Sequence, residues 1–313
     1  SKPVKRISFV AGLHGDELEG VFICCLLIRY LLDLEKSRPE AFKGEINIYP
    51  AVNPQAIGDV SRQWPFFSAD MNRLFAQEVR RARRRPMDLF RRRPSGQPSH
   101  RSLPSHVAGG LLDDLAACSD LAVDFHTSNL HLKELPQIRI LQGFDKELIP
   151  LARHCNMDLI WVHPLAKVFE TTLGYNLNAA GIPALVVESG ICLRLDPAGG
   201  DQVFRGMIHL LRQTGILETD NPGGSKIKTP LLSGPEQVVM VGAARSGLFV
   251  RQAELGRRVK RGETLGHLAD PLRGTLSEEV TSPAKGLLFT VRDLPLAYAG
   301  ATLARIALAE PEP

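Results

Sequence analysis

The chain has 313 residues, 44% of them hydrophobic and 23% charged, with a formal net charge of +4. That length suggests two domains, each able to bury a core, and no apolar run reaches the length of a bilayer span. The charge is local: residues 77–106 carry nine arginines against Glu78 and Asp88, a net of +7 that leaves the rest of the chain at −3, so basicity alone does not argue for a nucleic-acid partner.

Residues 1–6 lead straight into an apolar strand without a secretory pattern. The five cysteines contain no C-x-x-C pair and read as reduced thiols, so the expected location is cytoplasmic, with no membrane association. Ile7–Ala11 reads as a buried strand and Gly20–Ile28 as an apolar helix. Between them lies Gly12-Leu13-His14-Gly15-Asp16-Glu17. An imidazole and a carboxylate three residues apart at a helix start converge on one point, and zinc accepts both ligand types. The same spacing also marks ordinary solvated helix starts, so this stretch alone leaves both readings open.

Gly44–Val52 reads as a second strand that ends at the Asn53-Pro54 turn signal. Residues 55–75 show little periodicity and read as a long loop, of the kind that is functional or disordered, carrying Arg62 and then Asp70-Met71-Asn72-Arg73. The arginine run that follows reads either as a solvated excursion or as a contact for an acidic partner or substrate group. A helix returns over 107–117.

Asp120–Thr127 reads as a strand turning polar at its carboxyl end, where open α/β sheets place their sites, and this puts His126 beside the first stretch. Asp124 faces the same side as His126 and either orients the imidazole or caps a turn as a buried carboxylate. Strands are expected over 137–141 and 159–163, and helices over 146–154, 176–180 and 201–214. Ile182–Gly190 reads as a buried strand with Glu188 near its end, an acid that is costly there unless paired or working. Composition changes at 218–225, giving an expected catalytic domain over 1–220 and a C-terminal β domain over 225–313. The latter's glycine-punctuated short strands look like the barrel-sandwich fold of biotinyl and lipoyl carrier domains, without their modified-lysine hairpin.

Together His14, Glu17 and His126 make a two-histidine, one-carboxylate set with an open fourth position, Glu188 is a candidate general base, and Arg62, Asn72 and Arg73 suit the grip of a carboxylate. His131 is a rival ligand.

These motifs resemble the succinylglutamate desuccinylase/aspartoacylase family, relatives of the zinc carboxypeptidases. Gly12–Glu17 matches Gly-x-His-Gly-x-Glu. Asn53-Pro54 is followed by Arg62 at the family's spacing. Asp70–Arg73 matches Asp-x-Asn-Arg, Asp124–Thr127 matches Asp-x-His-Thr, and Val187–Gly190 matches the segment of the catalytic glutamate. The resemblance implies an α/β, three-layer zinc-carboxypeptidase-like domain with a mixed sheet, followed by the small all-β domain. It implies one Zn2+ per chain on His14, Glu17 and His126, with Glu188 as general base and Arg62 on the oxyanion. Asn72 and Arg73 would hold the substrate's carboxylate, and Tyr298 either reaches the site or sits in the β-domain core. Aspartoacylases carry an arginine where this chain has Asn178, which argues against N-acetylaspartate. The expected activity is removal of an acyl group from an N-acyl amino acid or related small amide, with homo-oligomer formation left open. The rivals are a metallocarboxypeptidase acting on peptide C-termini and a non-enzymatic protein that keeps the fold.

Overall fold

A computed structural model describes residues 4–75, 102–219, 224 and 226–308. Most of the arginine-rich segment, and therefore the reading given to it above, lies outside the described residues. The polypeptide builds one large mixed sheet, two layers of helices on it, and a second, smaller sheet in the C-terminal region.

Four parallel strands form the heart of the large sheet in the order β2 (Glu45–Tyr49), β1 (Arg6–Val10), β3 (Leu121–His126) and β6 (Ala184–Gly190). Side chains alternate across them, and the two faces bury different sets of residues. Ile7, Phe9, Leu121, Val123, Phe125, Leu185 and Val187 pack with α1 (Leu18–Ser37) and α6 (Pro197–Gln213). Val10, Ala122 and Ala184 face the other way, onto α3 (Leu103–Cys118) and α5 (Leu173–Ala179). Asp124, His126 and Glu188 follow the second set by parity, so all three lie on one face at the carboxyl ends of adjacent strands. In register, His126 is directly opposite Glu188.

The ten-residue β4 (Leu132–Leu141) is where the sheet forks. One edge runs antiparallel to β6, and the other edge is shared. Its first part pairs with β13 (Gly286–Arg292), and its later part runs parallel to β5 (Leu159–His163), beyond which lies β7 (Leu231–Ser233). The helix α4 (Asp145–Ala152) makes the crossover from β4 to β5. Through β13, which also pairs with the two-residue β10 (Arg258–Val259), the sheet continues to β15 (Thr302–Leu308) and β8 (Val238–Gly242), so strands from the C-terminal region complete the sheet that carries the site. The second sheet, in the order β12 (Thr275–Thr281), β11 (Thr264–Asp270), β9 (Gly247–Arg251) and β14 (Leu296–Ala297), closes on its own core around Phe249, Leu265, Leu268 and Leu303.

The stretch expected as a loop over 55–75 is more ordered than its lack of periodicity implied. Pro54–Gly58 forms the short helix α2, whose first turn is capped by Asn53 Oδ1 accepting from Ala56 N at 3.2 Å. Trp64 bridges to Ala69, and a 3-10 turn follows over Met71–Arg73. Such short, side-chain-capped turns leave no hydrophobic period to read.

Candidate metal centre

The turn between β1 and α1 holds His14 and Glu17 because Gly15 lets it press against α2. A Cβ on Gly15 would fall 2.0 Å from the backbone carbon and oxygen of Ala56, and Gly15 N donates to Ser61 O at 2.9 Å. On this turn both side chains are buried and face His126 at the end of β3. His14 Nδ1 lies 2.7 Å from Glu17 Oε1, and His126 Nδ1 lies 2.9 Å from Glu17 Oε2. One potential ligand atom from each of the three residues falls within 4.8 Å of the others.

The far nitrogen of each ring meets a carboxylate. His14 Nε2 donates to Asp70 Oδ1 at 2.9 Å, and His126 Nε2 to Asp124 Oδ2 at 3.0 Å. A carboxylate that accepts from Nε2–H fixes the tautomer and leaves the Nδ1 lone pair aimed inward, the arrangement found behind metal-bound histidines. His14 Nδ1 is buried and has no aligned hydrogen-bond partner despite its closeness to Glu17. Two inward nitrogens, one of them orphaned, and the buried carboxylate that both approach fit a zinc ion.

Burial opposes charge on all three groups, and their mutual attraction outweighs it. Glu17 is held well below the usual carboxylate range by His14 and His126, while Glu17 with Asp70 and Asp124 raises both imidazoles. Asp16, Glu17 and Cys192 form a second triplet. Burial and the neighbouring Glu17 push the Asp16 carboxyl up, and burial pushes the Cys192 thiol up, so both give up their protons less readily than free side chains and make the poorer ligand set.

A cavity of about 330 Å3 opens over this centre. Glu188 stands at its wall beside His126; burial raises its pKa, and Arg139, 3.1 Å away, pulls against that. Arg62 Nη1 donates to Glu17 Oε1 at 2.8 Å, which places the guanidinium at the rim of the metal position. Asn72 Oδ1 accepts from Leu173 N at 2.8 Å, and its Nδ2 faces His126 Nε2 at 3.3 Å. Since that ring nitrogen donates to Asp124, the Asn72 amide keeps its protons for the cavity. Arg73 lines the cavity and donates through Nη1 to Asn72 O at 2.9 Å.

Tyr298 departs from both readings made of it. It is 69% exposed and is not among the residues lining the cavity. The strand β14 ends at the fully buried Ala297, and Tyr298 follows it out into solvent. His131 is exposed and joins no ligand set among the described residues. Asn178 lines the cavity with its amide already spent: Nδ2 donates to Gly174 O and Ala184 O at 2.8 and 3.0 Å, and Oδ1 accepts from Ala184 N at 2.8 Å.

The sequence alone assigned no role to Asp70, Glu134, Arg139 or Arg305. Asp70 lies within the Asp-x-Asn-Arg motif, which gave it a place but no function. Glu134 and Arg139, five residues apart, fall on opposite faces by simple alternation, and only the register shift between Glu134 and Gln137 brings them together. Arg305 carried no signal, because its neighbours come from distant strands.

The model of the succinylglutamate desuccinylase/aspartoacylase catalytic domain matches residues 3–214. No curated protein sequence matches the chain significantly. Among solved structures, a succinylglutamate desuccinylase from Silicibacter sp. TM1040 superposes with a TM-score of 0.76 at 20% identity, covering 99% of this chain and 87% of that one. A succinylglutamate desuccinylase/aspartoacylase from Rhodobacter sphaeroides gives 0.73 at 21% identity, over 98% and 87%. The product-bound ectoine utilization protein EutE (DoeB) from Ruegeria pomeroyi gives 0.73 at 19%, over 97% and 86%. With the family model matching more than half of the chain, and with the fold shared throughout, this protein belongs to the succinylglutamate desuccinylase/aspartoacylase family of deacylases.

Proposed function

We propose that this protein is a zinc-dependent amidohydrolase that removes an acyl group from an N-acyl amino acid or a related small amide. The observation that carries the reading is the convergence of His14 Nδ1, His126 Nδ1 and Glu17 beside Glu188 at one cavity. A zinc ion held by those three residues supplies a Lewis acid that polarises the amide carbonyl and makes water acidic near neutral pH.

The chain's own groups do the rest. Glu188 takes the proton of the attacking water at its carboxylate and passes it to the departing amine, a shuttle suited to a carboxyl whose burial and arginine partner pull its pKa in opposite directions. Arg62, at the rim beside Glu17, donates to the developing oxyanion. Asn72 and Arg73 hold the carboxylate of the amino-acid half. Tyr298 has no part, given its exposure.

The cavity's size favours this over a carboxypeptidase: about 330 Å3 is small-molecule volume, and Arg305 of β15 lines it, bringing the C-terminal region to the site. The five free cysteines suit a cytoplasmic location.

The test is hydrolysis of a panel of N-acetyl-L-amino acids and of peptides with free C-termini, by the wild type and Glu188→Gln. Turnover of an N-acetyl amino acid that falls by two or more powers of ten in Glu188→Gln, with zinc retained, is the expected result. Turnover confined to peptides moves the protein to the carboxypeptidase reading, and an undiminished Glu188→Gln removes Glu188 from the mechanism.

A further inference from the structure

On the cavity wall behind Glu188 lies a charged cluster that the mechanism above does not use. Glu134 of β4 is a fully buried carboxylate held from four sides. Arg139 Nη2 donates to its Oε2 at 2.6 Å and Gln137 Nε2 to the same oxygen at 3.0 Å. Arg305 Nη1 donates to Oε1 at 2.5 Å and Thr290 Oγ1 at 3.2 Å. The second arm of Arg139 reaches the reaction side, where Nη1 lies 3.1 Å from Glu188 Oε1. Both guanidiniums lie over the ring of Trp161, at 5.7 and 5.9 Å from its centroid, which limits where each can swing.

Glu188 itself is weakly anchored. Arg139 is the one ion pair of its carboxylate among the described residues, and glutamate has three torsions to fix. A general base must sit within hydrogen-bond reach of the proton it takes, and a displacement of 1 Å can cost about a hundredfold in rate.

We propose that Arg139 is the positioning residue for Glu188, held in place by Glu134, and that Arg305 lets the C-terminal strand β15 fix that arrangement. This rests on Glu188 being the base. The guanidinium planes carry the logic: one fork spans two carboxylates, so the position of Glu134 sets that of Glu188. Glu134 is in turn pinned by three strands, its own β4 through Gln137, β13 through Thr290 and β15 through Arg305. The joining of the C-terminal strands to the main sheet thereby reaches the catalytic carboxylate.

The test compares Arg139→Met, Arg139→Lys and Arg305→Met with the wild type and Glu188→Gln, using the N-acetyl-L-amino acid that the wild type hydrolyses fastest. Far-UV circular dichroism and zinc content establish that each variant is folded and loaded. Arg139→Met should lower kcat by roughly ten- to a hundredfold with little change in KM, and free guanidinium ion should restore part of it. Arg305→Met should show a smaller loss, again in kcat. Arg139→Lys should fall between Arg139→Met and wild type, since an ammonium cannot bridge both carboxylates. A rise in KM at constant kcat in Arg139→Met would make Arg139 a substrate contact and overturn the proposal. Wild-type kinetics in Arg139→Met, with Glu188→Gln inactive, would also overturn it while leaving the function intact. Loss of the base role itself would show separately, as an active Glu188→Gln. Crystal structures of the wild type and Arg139→Met provide a readout independent of substrate. The Glu188 carboxylate should leave its place beside His126 in the variant, and an unmoved carboxylate contradicts the proposal.

Discussion

At the scale of single residues, the candidate metal centre is built as much by Asp70 and Asp124 as by the three residues proposed to hold the ion. Each accepts a hydrogen bond from the outer N–H of an imidazole, His14 at 2.9 Å and His126 at 3.0 Å, and so leaves the inner nitrogen as a lone pair. Replacing either carboxylate with an amide keeps the shape and loses the charge that fixes the ring. Asp70→Asn and Asp124→Asn should each weaken zinc binding by about 10–100-fold, read by competition with a chelator of known affinity. Unchanged affinity in both would show that the rings are held by packing alone. Asp70 Oδ1 also accepts from Asn72 N at 2.9 Å, so the residue that orients the His14 ring also sets the turn presenting Asn72 and Arg73, the proposed carboxylate clamp.

At the scale of elements, the site depends on where strands and turns are forced together. Strand parity alone places Asp124, His126 and Glu188 on one face, and the parallel register sets His126 opposite Glu188. The shared side of Asp124 and His126 was legible in the sequence, because Ala122, Asp124 and His126 alternate visibly with the apolar set and polarity appears at the strand's end. That Glu188 joins them, opposite His126, was not, because strand pairing leaves no local period. The fork at β4 was not legible. Only its second half, 137–141, reads as a strand, since Glu134 and Pro136 interrupt the apolar pattern. Glu134 is nevertheless where strands far apart in sequence meet, and no local period encodes that meeting. Removing it strands the Arg305 guanidinium beside Arg139 with its charge uncompensated in the interior. Glu134→Ala should therefore lose about 3–5 kcal/mol of stability, measured by denaturant unfolding of the zinc-loaded protein. A loss below ~1 kcal/mol would mean that water or rearrangement satisfies both arginines, and the cluster would not be the rigid support described above.

At the scale of the whole molecule, the C-terminal strands belong to the same sheet as the catalytic ones and send Arg305 into the cavity wall. The sequence indicated a trailing β region from its glycine spacing, but not this continuity, because strand pairing between residues about 150 apart, such as Glu134 and Thr290, leaves no trace in composition. Among the described residues no helix is long and apolar enough to cross a membrane. The cavity is lined from both regions, by Asn72, Arg73, Arg139 and Glu188 of the first and Arg305 of the second, and the proposed small-amide substrate would have to fit among these groups. All of that chemistry rests on the three converging ligands. The measurement that tests it most directly is the metal content of the purified, zinc-supplemented protein, wild type against His126→Ala, by elemental analysis. The account predicts about one zinc per chain in the wild type and loss of most of it in the variant. A wild type without stoichiometric metal, or a His126→Ala protein that keeps its full complement, would contradict it.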